Sequence, residues 1–456
     1  LYVGPFFHQA INMIIRSISG VRGITKSSLT TETIKLYAHA FHDLVPDGLI
    51  YLGRDARQSG EELLEIFSAE LIEIGRDVVL CNIVPTPTIQ FMVERSEAAG
   101  GIIVTASHNP EEWNGIKFVR EDGTFFLPNE CNELFEKVDK EVVYQKAKKQ
   151  GMLFPDQNSI LKHVIHVIEL SCVDTKRIKN CKFKVAVDSI NGAGSKALPL
   201  LLEYLGCELI PIHCDGTGKF DRGAEPLPEN LGDLSKAVLE NNADIGFAID
   251  PDADRLAIVN DHGIPIGEEY TLVIAAESYL KQLKNPEDIV TNLSTTLALD
   301  KIAEKYNTKV IRTAVGEINV VKKMIEINSN FGGEGNGGVI LKEAHLGRDS
   351  LVAAAMVLNR LSQEENLTVS QLHDSLPHYS IIKDKIDLVK VDETVLLKKA
   401  KEAYSDSTIN SIDGIKFIWD DRWVHLRKSN TEPIMRIYAE APSKKEATHL
   451  IKQIKN

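Results

Sequence analysis

One pattern recurs three times in the first three-quarters of the chain: an apolar strand, a polar turn, a helical stretch and a second strand. The three copies begin near residues 49, 183 and 288, with the runs LIYLGRDARQSG, FKVAVDSINGAG and DIVTNLSTT. Strands that alternate with helical stretches of ten or more residues indicate βαβ units and largely parallel sheets. The repeat therefore predicts an α/β protein with three tandem mixed α/β units of similar topology.

The character of the sequence changes after about Pro377. Short apolar runs predict the strands of a smaller C-terminal α+β unit, closed by a helix that begins near Ser443: GIKFIW, RWVHLR and IMRIYAEA. Residues 1–12 precede Met13 and are set aside as a possible tag or non-native extension. Polar stretches then place four units around a central cleft, with these predicted bounds: 13–150, 151–260, 261–377 and 378–456.

Charge and composition exclude several classes of function. The formal net charge of -13 argues against nucleic acid as the main partner, so an anionic substrate would need a local basic pocket. No apolar run approaches the roughly 18–20 residues of a membrane span, and we expect no membrane association. The six cysteines are scattered singly without a C-x-x-C pair, which predicts reduced thiols in a cytoplasmic protein.

The run GGIIVTASHNP (100–110) predicts a short strand that ends in a turn, here named the serine loop (residues 105–110). Pro110 disfavours a helical conformation at the residue before it, so Ser107 is displayed at the carboxyl end of a strand. Lys117 lies ten residues further on and can return to the same pocket. An ordinary surface turn remains open as an alternative. Serine hydrolase chemistry is disfavoured, because no G-x-S-x-G elbow is present.

The segment DPDADR (250–255), here named the aspartate loop, lies between two apolar strands. Asp250, Asp252 and Asp254 alternate, and a curled loop would focus their carboxylates on one Mg²⁺ ion. An EF-hand is disfavoured, because the sixth position is Arg255 instead of glycine and the flanks are strands rather than helices. A solvated acidic turn stays open, although three clustered negative charges favour a cation.

Two further loops are suited to reading a sugar phosphate. The glycine loop (residues 332–338, GGEGNGG) places Glu334 and Asn336 among five glycines, where backbone can approach a ligand closely. The arginine loop (residues 427–433, RKSNTEP) concentrates guanidinium, hydroxyl, amide and backbone donors suited to a phosphate. Simple turns are the alternative for both loops. The donors of the arginine loop are Arg427, Ser429, Asn430 and Thr431.

A competing signal lies in the second unit. GAGSKA (192–197) follows a predicted strand, opens a helix and matches the G-x-G-x-x-A pattern of dinucleotide-binding folds, with Asp215 near the position of a ribose-binding acid. A lone fingerprint of this kind is weak. An NAD-dependent oxidoreductase is therefore kept as a distant alternative.

Four motifs stand in the order TASHNP, DPDADR, GEGNGG and RKSNTEP. Their set and order closely resemble the α-D-phosphohexomutase superfamily, which includes phosphoglucomutase, phosphomannomutase and phosphoglucosamine mutase. The resemblance runs from Arg16 to the C-terminus. It implies that Ser107 carries a phosphoryl group and supplies one metal oxygen, and that the three aspartates bind Mg²⁺. It also implies that Arg22, His108, Lys117 and Arg255 surround the transferring group, that Glu334 and Asn336 bind the sugar, and that the arginine loop binds the other phosphate.

The implied reaction moves a phosphoryl group between C1 and C6 of a hexose phosphate through phospho-Ser107, with a hexose 1,6-bisphosphate as intermediate and activator. Lys117 is the leading acid/base candidate, and its cationic neighbours are expected to depress its pKa. A catalytically inactive sugar-phosphate binder is a further alternative. We expect a monomer or a homodimer.

Departures from the family pattern bear on the sugar. AVGEINV (314–320) places the acid Glu317 where mutases of glucose and mannose phosphates often have histidine and phosphoglucosamine mutases often have an acid. An acid near C2 suits an ammonium group better than a hydroxyl. Glucosamine 6-phosphate is therefore the favoured substrate, and phosphoglucomutase or phosphomannomutase activity is the alternative.

Overall fold

The computed structural model describes residues 14–389, 391–428 and 434–455. Within these ranges the strands form sheets of seven, four, four and five strands, in chain order. None of the helices in the same ranges is long and apolar enough to cross a membrane. Ser429, Asn430, Thr431 and residues 1–12 lie outside the described residues.

The first unit has a seven-stranded mixed sheet in the order β1-β2-β6-β5-β3-β4-β7. Its strands are β1 (Ile15–Ser17), β2 (Gly20–Ile24), β3 (Leu49–Arg54), β4 (Val78–Ile83), β5 (Ala98–Val104), β6 (Trp113–Arg120) and β7 (Leu153–Pro155). Its helices are α1 (Thr31–Leu44), α2 (Gly60–Glu73), α3 (Thr86–Glu94) and α4 (Pro128–Asp139). β7 pairs in parallel with β4, so this sheet extends past the predicted boundary at 150.

The second and third units each have a largely parallel sheet, as the repeat predicts: three of the four strands are parallel, and one at an edge is antiparallel. The second has the order β11-β10-β8-β9, and its elements are α5 (Ser159–Ile168), α6 (Thr175–Cys181), β8 (Lys184–Asp188), α7 (Ala197–Tyr204), β9 (Glu208–Ile212), α8 (Gly232–Asn241), β10 (Ile245–Ile249) and β11 (Leu256–Val259). The third has the order β13-β12-β14-β15, and its elements are α9 (Glu269–Leu280), β12 (Ile289–Asn292), α10 (Ala298–Lys305), β13 (Val310–Thr313), α11 (Glu317–Ile327), β14 (Phe331–Glu334), β15 (Gly338–Leu341), α12 (Ser350–Ser362) and α13 (Val369–Ser375).

These two units share one continuous hydrophobic core, which extends from Val164 to Leu376. Helix α12 is buried along its whole length and packs against α9 of its own unit and α5, α6 and α7 of the second. The carboxylate of Asp349 accepts hydrogen bonds from the first free backbone amides of α12, at Leu351 and Val352. The position of the second unit relative to the third is therefore fixed by burial of apolar surface.

A buried polar junction joins the first unit to this pair. Thr88 Oγ1 lies 3.0 Å from His163 Nδ1, and His163 Nε2 lies 2.8 Å from Asp349 Oδ2. His345 Nε2 lies 3.2 Å from the same carboxylate oxygen. Residues from each of the first three units thus enter a single hydrogen-bonded chain.

The fourth unit is an antiparallel sheet in the order β16-β20-β19-β18-β17 with its own core, as predicted for a smaller α+β unit. Glu440 joins it to the third unit, because its carboxylate accepts hydrogen bonds from Trp423 Nε1 at 2.6 Å and from the Leu297 amide at 2.8 Å. Its elements are β16 (Ser380–Asp387), α14 (Glu393–Ala403), β17 (Thr408–Asn410), β18 (Ile415–Ile418), β19 (Trp423–Lys428), β20 (Ile434–Ala441) and α15 (Lys444–Lys455).

Candidate active site

The serine loop follows β5 and places Ser107 at the carboxyl end of the strand, as the sequence predicts. Ser107 has a φ of 50° and is only 2% exposed. A non-glycine residue in this left-handed region is uncommon and is held by its surroundings. Its amide donates to Thr105 Oγ1 at 2.9 Å, and its hydroxyl lies 3.4 Å from Asp250 Oδ2. The serine and the aspartate loop, 143 residues apart, thus meet across two units.

The aspartate loop curls between β10 and β11, where Ala253 has a φ of 58°. One carboxylate oxygen from each of Asp250, Asp252 and Asp254 lies within 4.8 Å of the others, and all three side chains are buried. Burial, reinforced by the charges of its two neighbours, raises the pKa of Asp250 well above its usual range. Burial also opposes the charged forms of Asp252 and Asp254, but Lys117 and Arg348 respectively outweigh it and lower the pKa of each, so these two carboxylates stay ionised and attract cations.

The residues present fit a divalent metal ion. The Oδ1 atoms of Asp252 and Asp254 are buried and have no hydrogen-bond partner among the described residues. Unpaired buried carboxylate oxygens are costly, and coordination to a hard cation would satisfy them. The other oxygens are engaged: Lys117 Nζ donates to Asp252 Oδ2 at 2.7 Å, and Thr86 Oγ1 donates to the same atom at 2.9 Å.

Cationic and imidazole groups surround Ser107. His108 Nδ1 lies 3.3 Å from Ser107 Oγ and 3.2 Å from the guanidinium of Arg255. Burial and the charges of Arg255 and Arg22 lower the pKa of His108, which keeps its imidazole neutral. Arg22 donates to Asn109 Oδ1 at 2.7 Å, so the predicted group is assembled at one place.

Glu334 of the glycine loop is 3% exposed, and both of its carboxylate oxygens are already occupied. Oε1 accepts hydrogen bonds from Asn292 Nδ2 at 2.7 Å and from the Gly316 amide at 3.0 Å. Next to it, the Leu256 amide donates to the Gly337 carbonyl at 3.0 Å, which joins the glycine loop to the strand after the aspartate loop. Asn336 faces the same space.

Arg427 is the first residue of the arginine loop, which connects the paired strands β19 and β20. Its Nε forms an ion pair with Asp413 Oδ2 at 2.8 Å, and the same oxygen accepts a hydrogen bond from the Val315 amide at 3.0 Å. Asp413 therefore connects the fourth unit to the turn before Glu317. The remaining predicted donors of this loop lie outside the described residues.

A cavity of about 320 Å³ opens between the four units. This volume is at the lower end of the range for small-molecule sites. Each unit contributes cations to its walls, which supplies the local basic pocket that an acidic chain needs for an anionic substrate. The predicted residues that line it are Arg22, Ser107, His108, Lys117, Arg255, Glu317, Glu334, Asn336 and Arg427.

Four family models match the chain in order. They describe the phosphoglucomutase/phosphomannomutase alpha/beta/alpha domains I, II and III, at residues 14–145, 161–263 and 267–379, and the C-terminal domain of the same family at residues 387–456. The chain belongs to the phosphoglucomutase/phosphomannomutase family. It is a phosphohexomutase, which confirms the predicted enzyme class and the predicted α/β architecture with a different C-terminal unit.

Individual relatives of this phosphohexomutase differ in the sugars that their names state. It is 36% identical over 435 residues to a phosphoglucomutase/phosphomannomutase of Thermococcus kodakarensis, with 94% of each chain covered. It is 32% identical over 456 residues to a phosphoglucosamine/phosphogalactosamine mutase of Sulfurisphaera tokodaii, covering 96% of this chain and 97% of that one. Among solved structures, a Burkholderia thailandensis protein of the phosphoglucomutase/phosphomannomutase family has a TM-score of 0.82 at 24% identity, with 97% of each chain covered.

The structure of the phosphohexomutase shows one central residue that the sequence motifs do not contain. Arg348 donates to Asp254 Oδ2 at 2.6 Å and to Glu334 Oε2 at 2.9 Å. Its Nε lies 3.1 Å from Glu317 Oε2, and its backbone amide donates to Glu317 Oε1 at 3.2 Å. One guanidinium thus joins the aspartate loop, the glycine loop and the start of α11. The only signal in the sequence is its place before Asp349, a helix-capping acid.

A second missed residue lies beneath the serine loop. The buried guanidinium of Arg57 donates to the backbone carbonyls of Ser107 at 2.6 Å, Asn109 and Pro110 at 2.7 Å, and Trp113 at 3.0 Å. Asp55 Oδ2 holds this arginine through its Nε at 3.0 Å. Arg57 belongs to the GRDAR run that the sequence analysis treated only as the turn after a strand.

Two further residues of the mutase line the cavity and were not predicted from the sequence. Arg436 and Tyr438 lie two positions apart on β20 and face the cleft from the fourth unit. Alternation along a strand places such residues on one face, so R-x-Y in IMRIYAEA is the signal that could have found them.

The pKa of Lys117 is raised in this structure, and the depressed value expected for a lysine beside a bound metal and arginines stays a prediction. Burial is the largest influence and opposes the charged form, but Asp252 and Asp254 together outweigh it and raise the pKa of Lys117. Both carboxylates lie within hydrogen-bond distance of its ammonium, Asp252 Oδ2 at 2.7 Å and Asp254 Oδ2 at 3.4 Å.

The glycine-rich turn at 192–197 has a structural role that competes with the dinucleotide interpretation. The Ala193 amide donates to the Pro251 carbonyl at 2.8 Å. A Cβ at Gly192 would lie 2.6 Å from the same oxygen, so only glycine permits this approach. The turn supports the aspartate loop from behind.

Proposed function

We propose that this phosphohexomutase interconverts glucosamine 6-phosphate and glucosamine 1-phosphate through a phosphoryl group carried on Ser107, with Mg²⁺ as its metal. One observation carries the proposal. The Ser107 hydroxyl, in a left-handed backbone position, lies 3.4 Å from the carboxylate of Asp250, at the edge of a cavity with cations from all four units. This arrangement suits phosphoryl transfer, in which positioning and charge neutralisation supply most of the catalysis.

Asp250, Asp252 and Asp254 would hold the metal together with an oxygen of phospho-Ser107. A bound Mg²⁺ would neutralise negative charge on the phosphoryl group. The unpaired Oδ1 atoms of Asp252 and Asp254 support this assignment.

The chain's own residues account for the rest of the transfer. The bond between phosphorus and Ser107 Oγ breaks, and phosphorus bonds to the free hydroxyl oxygen of the sugar. The proton of that hydroxyl leaves, and a proton arrives on Ser107 Oγ; Lys117 is our candidate for this exchange. Arg22, Arg255 and neutral His108 stabilise the transferring group through their donors.

The resulting hexose 1,6-bisphosphate turns within the cavity, and its other phosphate returns to Ser107. Glu334 and Asn336 would orient the sugar hydroxyls. The phosphate that does not react would sit at the arginine loop, held by Arg427 with Ser429, Asn430 and Thr431. Added bisphosphate would serve as activator, because it restores phospho-Ser107.

Glu317 is the reason to favour an amino sugar. It lines the cavity at the first position of α11 and is 9% exposed. A carboxylate here would attract the ammonium group of glucosamine. The name of the Sulfurisphaera tokodaii relative, a phosphoglucosamine/phosphogalactosamine mutase, is in line with this choice.

One observation favours the second candidate, a phosphoglucomutase/phosphomannomutase. Arg348 contacts both carboxylate oxygens of Glu317, and burial raises the pKa of Glu317. Both effects reduce the negative charge that an ammonium group would meet. The Thermococcus kodakarensis relative carries the name of this second activity.

The first experiment tests the phosphoserine. Purified protein with Mg²⁺ and a trace of glucose 1,6-bisphosphate is assayed on the 6-phosphates of glucosamine, glucose and mannose, and its intact mass is measured. We expect turnover and a species heavier by one phosphate, both lost in Ser107→Ala. Ser294→Ala, another cavity serine, should keep the added mass. An unchanged mass in Ser107→Ala would remove Ser107 as the carrier.

The second experiment tests the sugar. We expect kcat/KM to be highest on glucosamine 6-phosphate, and Glu317→Gln to lower the ratio of glucosamine to mannose activity at least tenfold. Glu317→His should shift the ratio further in the same direction. A ratio that neither substitution changes would favour the phosphoglucomutase/phosphomannomutase alternative.

Cytoplasmic location and a monomeric or homodimeric state stay predictions. The six cysteines are free thiols in the structure, which is in line with a reducing compartment.

A further inference from the structure

Three side chains that can ligate a metal meet where the third unit joins the fourth, far along the chain from the aspartate loop. His373 and Asp374 lie near the end of α13, and His378 lies in the segment that leads into β16. One ligand atom of each lies within 4.8 Å of the other two. The imidazole rings of the two histidines are 4.7 Å apart and nearly perpendicular, at 87°.

The ligand atoms of this histidine cluster (His373, Asp374 and His378) are not engaged elsewhere. His373 Nε2 is buried and has no hydrogen-bond partner in the described ranges. Asp374 and His378 are exposed and, among the residues that the structure describes, make no hydrogen bond or ion pair. Buried nitrogen atoms without partners are costly, so His373 points to a missing ligand.

The buried junction of His163, His345 and Asp349 is different, although it has the same residue types. There both histidine Nε2 atoms contact Asp349 Oδ2, and Asp349 Oδ1 caps α12. Its carboxylate is fully used by the protein and has no free oxygen for a metal, so we assign that junction a structural role even though His345 Nδ1 is buried without a partner among the described residues.

The backbone that carries the histidine cluster is fixed by Tyr270. The ring of Tyr270 packs edge-on against His373 at 4.5 Å, and its hydroxyl donates to the Pro377 carbonyl at 3.1 Å. The Leu376 amide donates to the His373 carbonyl at 3.0 Å, which closes the turn between the two histidines. The donors are therefore brought together by the fold and not by chance side-chain positions.

We propose that the histidine cluster is a binding site for a late first-row divalent cation, with Zn²⁺ as the best fit. Two imidazole nitrogens and one carboxylate suit Zn²⁺, whereas Mg²⁺ prefers oxygen ligands. Ligand bonds of about 2.0–2.2 Å require the three atoms to close around the ion. The exposed side chains of Asp374 and His378 can rotate to do so, and solvent supplies the remaining position.

Occupation of the site would brace the joint between the third and fourth units. The ion would tie the end of α13 to the segment entering β16. Burial and the neighbouring His378 lower the pKa of His373, which favours the neutral imidazole that a metal requires.

The test uses the full chain with Mg²⁺ in large excess, so that the aspartate loop is occupied. Co²⁺ is added and its visible absorption is recorded, and Zn²⁺ binding is then measured by calorimetry and by displacement of Co²⁺. We expect one equivalent of Zn²⁺ to bind and to displace Co²⁺ from a site with nitrogen ligands. His378→Gln and Asp374→Asn should each weaken binding at least tenfold.

The controls separate this site from others on the surface. His449→Gln, which removes an exposed histidine elsewhere, should leave Zn²⁺ affinity unchanged. Melting curves without Zn²⁺ should coincide for wild type and both cluster variants, because the altered side chains are exposed. An absence of Co²⁺ or Zn²⁺ binding, or binding that His378→Gln does not weaken, would overturn the proposal.

Discussion

The guanidinium of Arg348 donates a 2.6 Å hydrogen bond to the carboxylate of Asp254, and both side chains are buried. The same guanidinium reaches Glu334 in the glycine loop. The loop proposed to bind the metal and the loop proposed to bind the sugar are therefore held in register by one side chain. Because this geometry is set before substrate arrives, it limits the reorganisation that the reaction needs.

Arg348→Lys tests this arrangement. Lysine keeps the charge but has no planar fork and cannot serve three carboxylates at once. We expect kcat to fall at least tenfold, about 1.4 kcal/mol in the barrier, with a smaller change in KM. Steady-state kinetics and thermal denaturation check this. The matched control is Arg360→Lys, a buried arginine on α12 paired with Glu277 at 2.7 Å, which should lose stability but keep kcat.

Arg57→Lys tests the support of the serine loop. A lysine cannot donate to four carbonyl groups, so the left-handed position of Ser107 should relax. We expect phosphorylation of Ser107 by the bisphosphate to slow at least tenfold in rapid-quench measurements, with sugar KM nearly unchanged. Arg76→Lys is the control, because Arg76 is also buried and donates to backbone carbonyls of the first unit. Equal slowing in both variants would show that Arg57 has no special role.

Metal removal tests the aspartate loop. A ligand that binds only the folded chain stabilises it by about 2.7 kcal/mol at 100 times its Kd. We expect saturating Mg²⁺ to raise the melting temperature by a few degrees after treatment with a chelator, and Asp252→Asn to abolish that shift. Asp233→Asn, whose side chain is 71% exposed in the same unit, should keep it. The same small shift in Asp252→Asn and wild type would contradict the assignment.

The pH dependence of stability should report on Glu269, at the start of α9. Burial, reinforced by Glu268 and Glu440 and opposed by Lys383, raises the pKa of Glu269 from 4.5 to about 8. The folded state therefore favours the protonated acid, and stability is lost as the pH rises from about 4.5 through 8.

Between pH 6.5 and 8 we expect the free energy of unfolding to fall by on the order of 1 kcal/mol because of Glu269. Urea denaturation of wild type and Glu269→Gln at both pH values measures it, and the variant should lose less stability than wild type. Glu326→Gln, with a side chain 60% exposed, should behave as wild type. Parallel pH profiles for Glu269→Gln and wild type would count against the raised pKa.

The repeat predicted the fold class. The motifs predicted residues that the structure brings to one site, because each motif is short and contiguous and can be recognised from its own sequence. Ser107 and the aspartate loop are fixed locally by the strands that precede them. Arg348 and Arg57 were missed for the opposite reason. Each acts on segments distant in sequence, and nothing in its immediate neighbours shows what it will contact.

The balance of charges around Lys117 in the cavity could not be predicted from the sequence either. The pKa of Lys117 depends on which charged groups lie next to its ammonium, and the 2.7 Å contact with Asp252 is visible only in the folded chain. The glycines near Gly192 show the same limit. Their pattern fits a nucleotide turn, but the Pro251 carbonyl occupies the space that the missing side chain leaves.

The hydrophobic core that the second and third units share limits where segments of this chain can be exchanged with those of a related chain. Helix α12 comes late in the third unit, yet it is enclosed by helices of both. A crossover near residue 260 would leave each fragment with a broad apolar face, which promotes aggregation. Crossovers between related chains should succeed before α5 or after α13. The chain therefore has three exchangeable blocks: the first unit, the second and third units together, and the fourth unit.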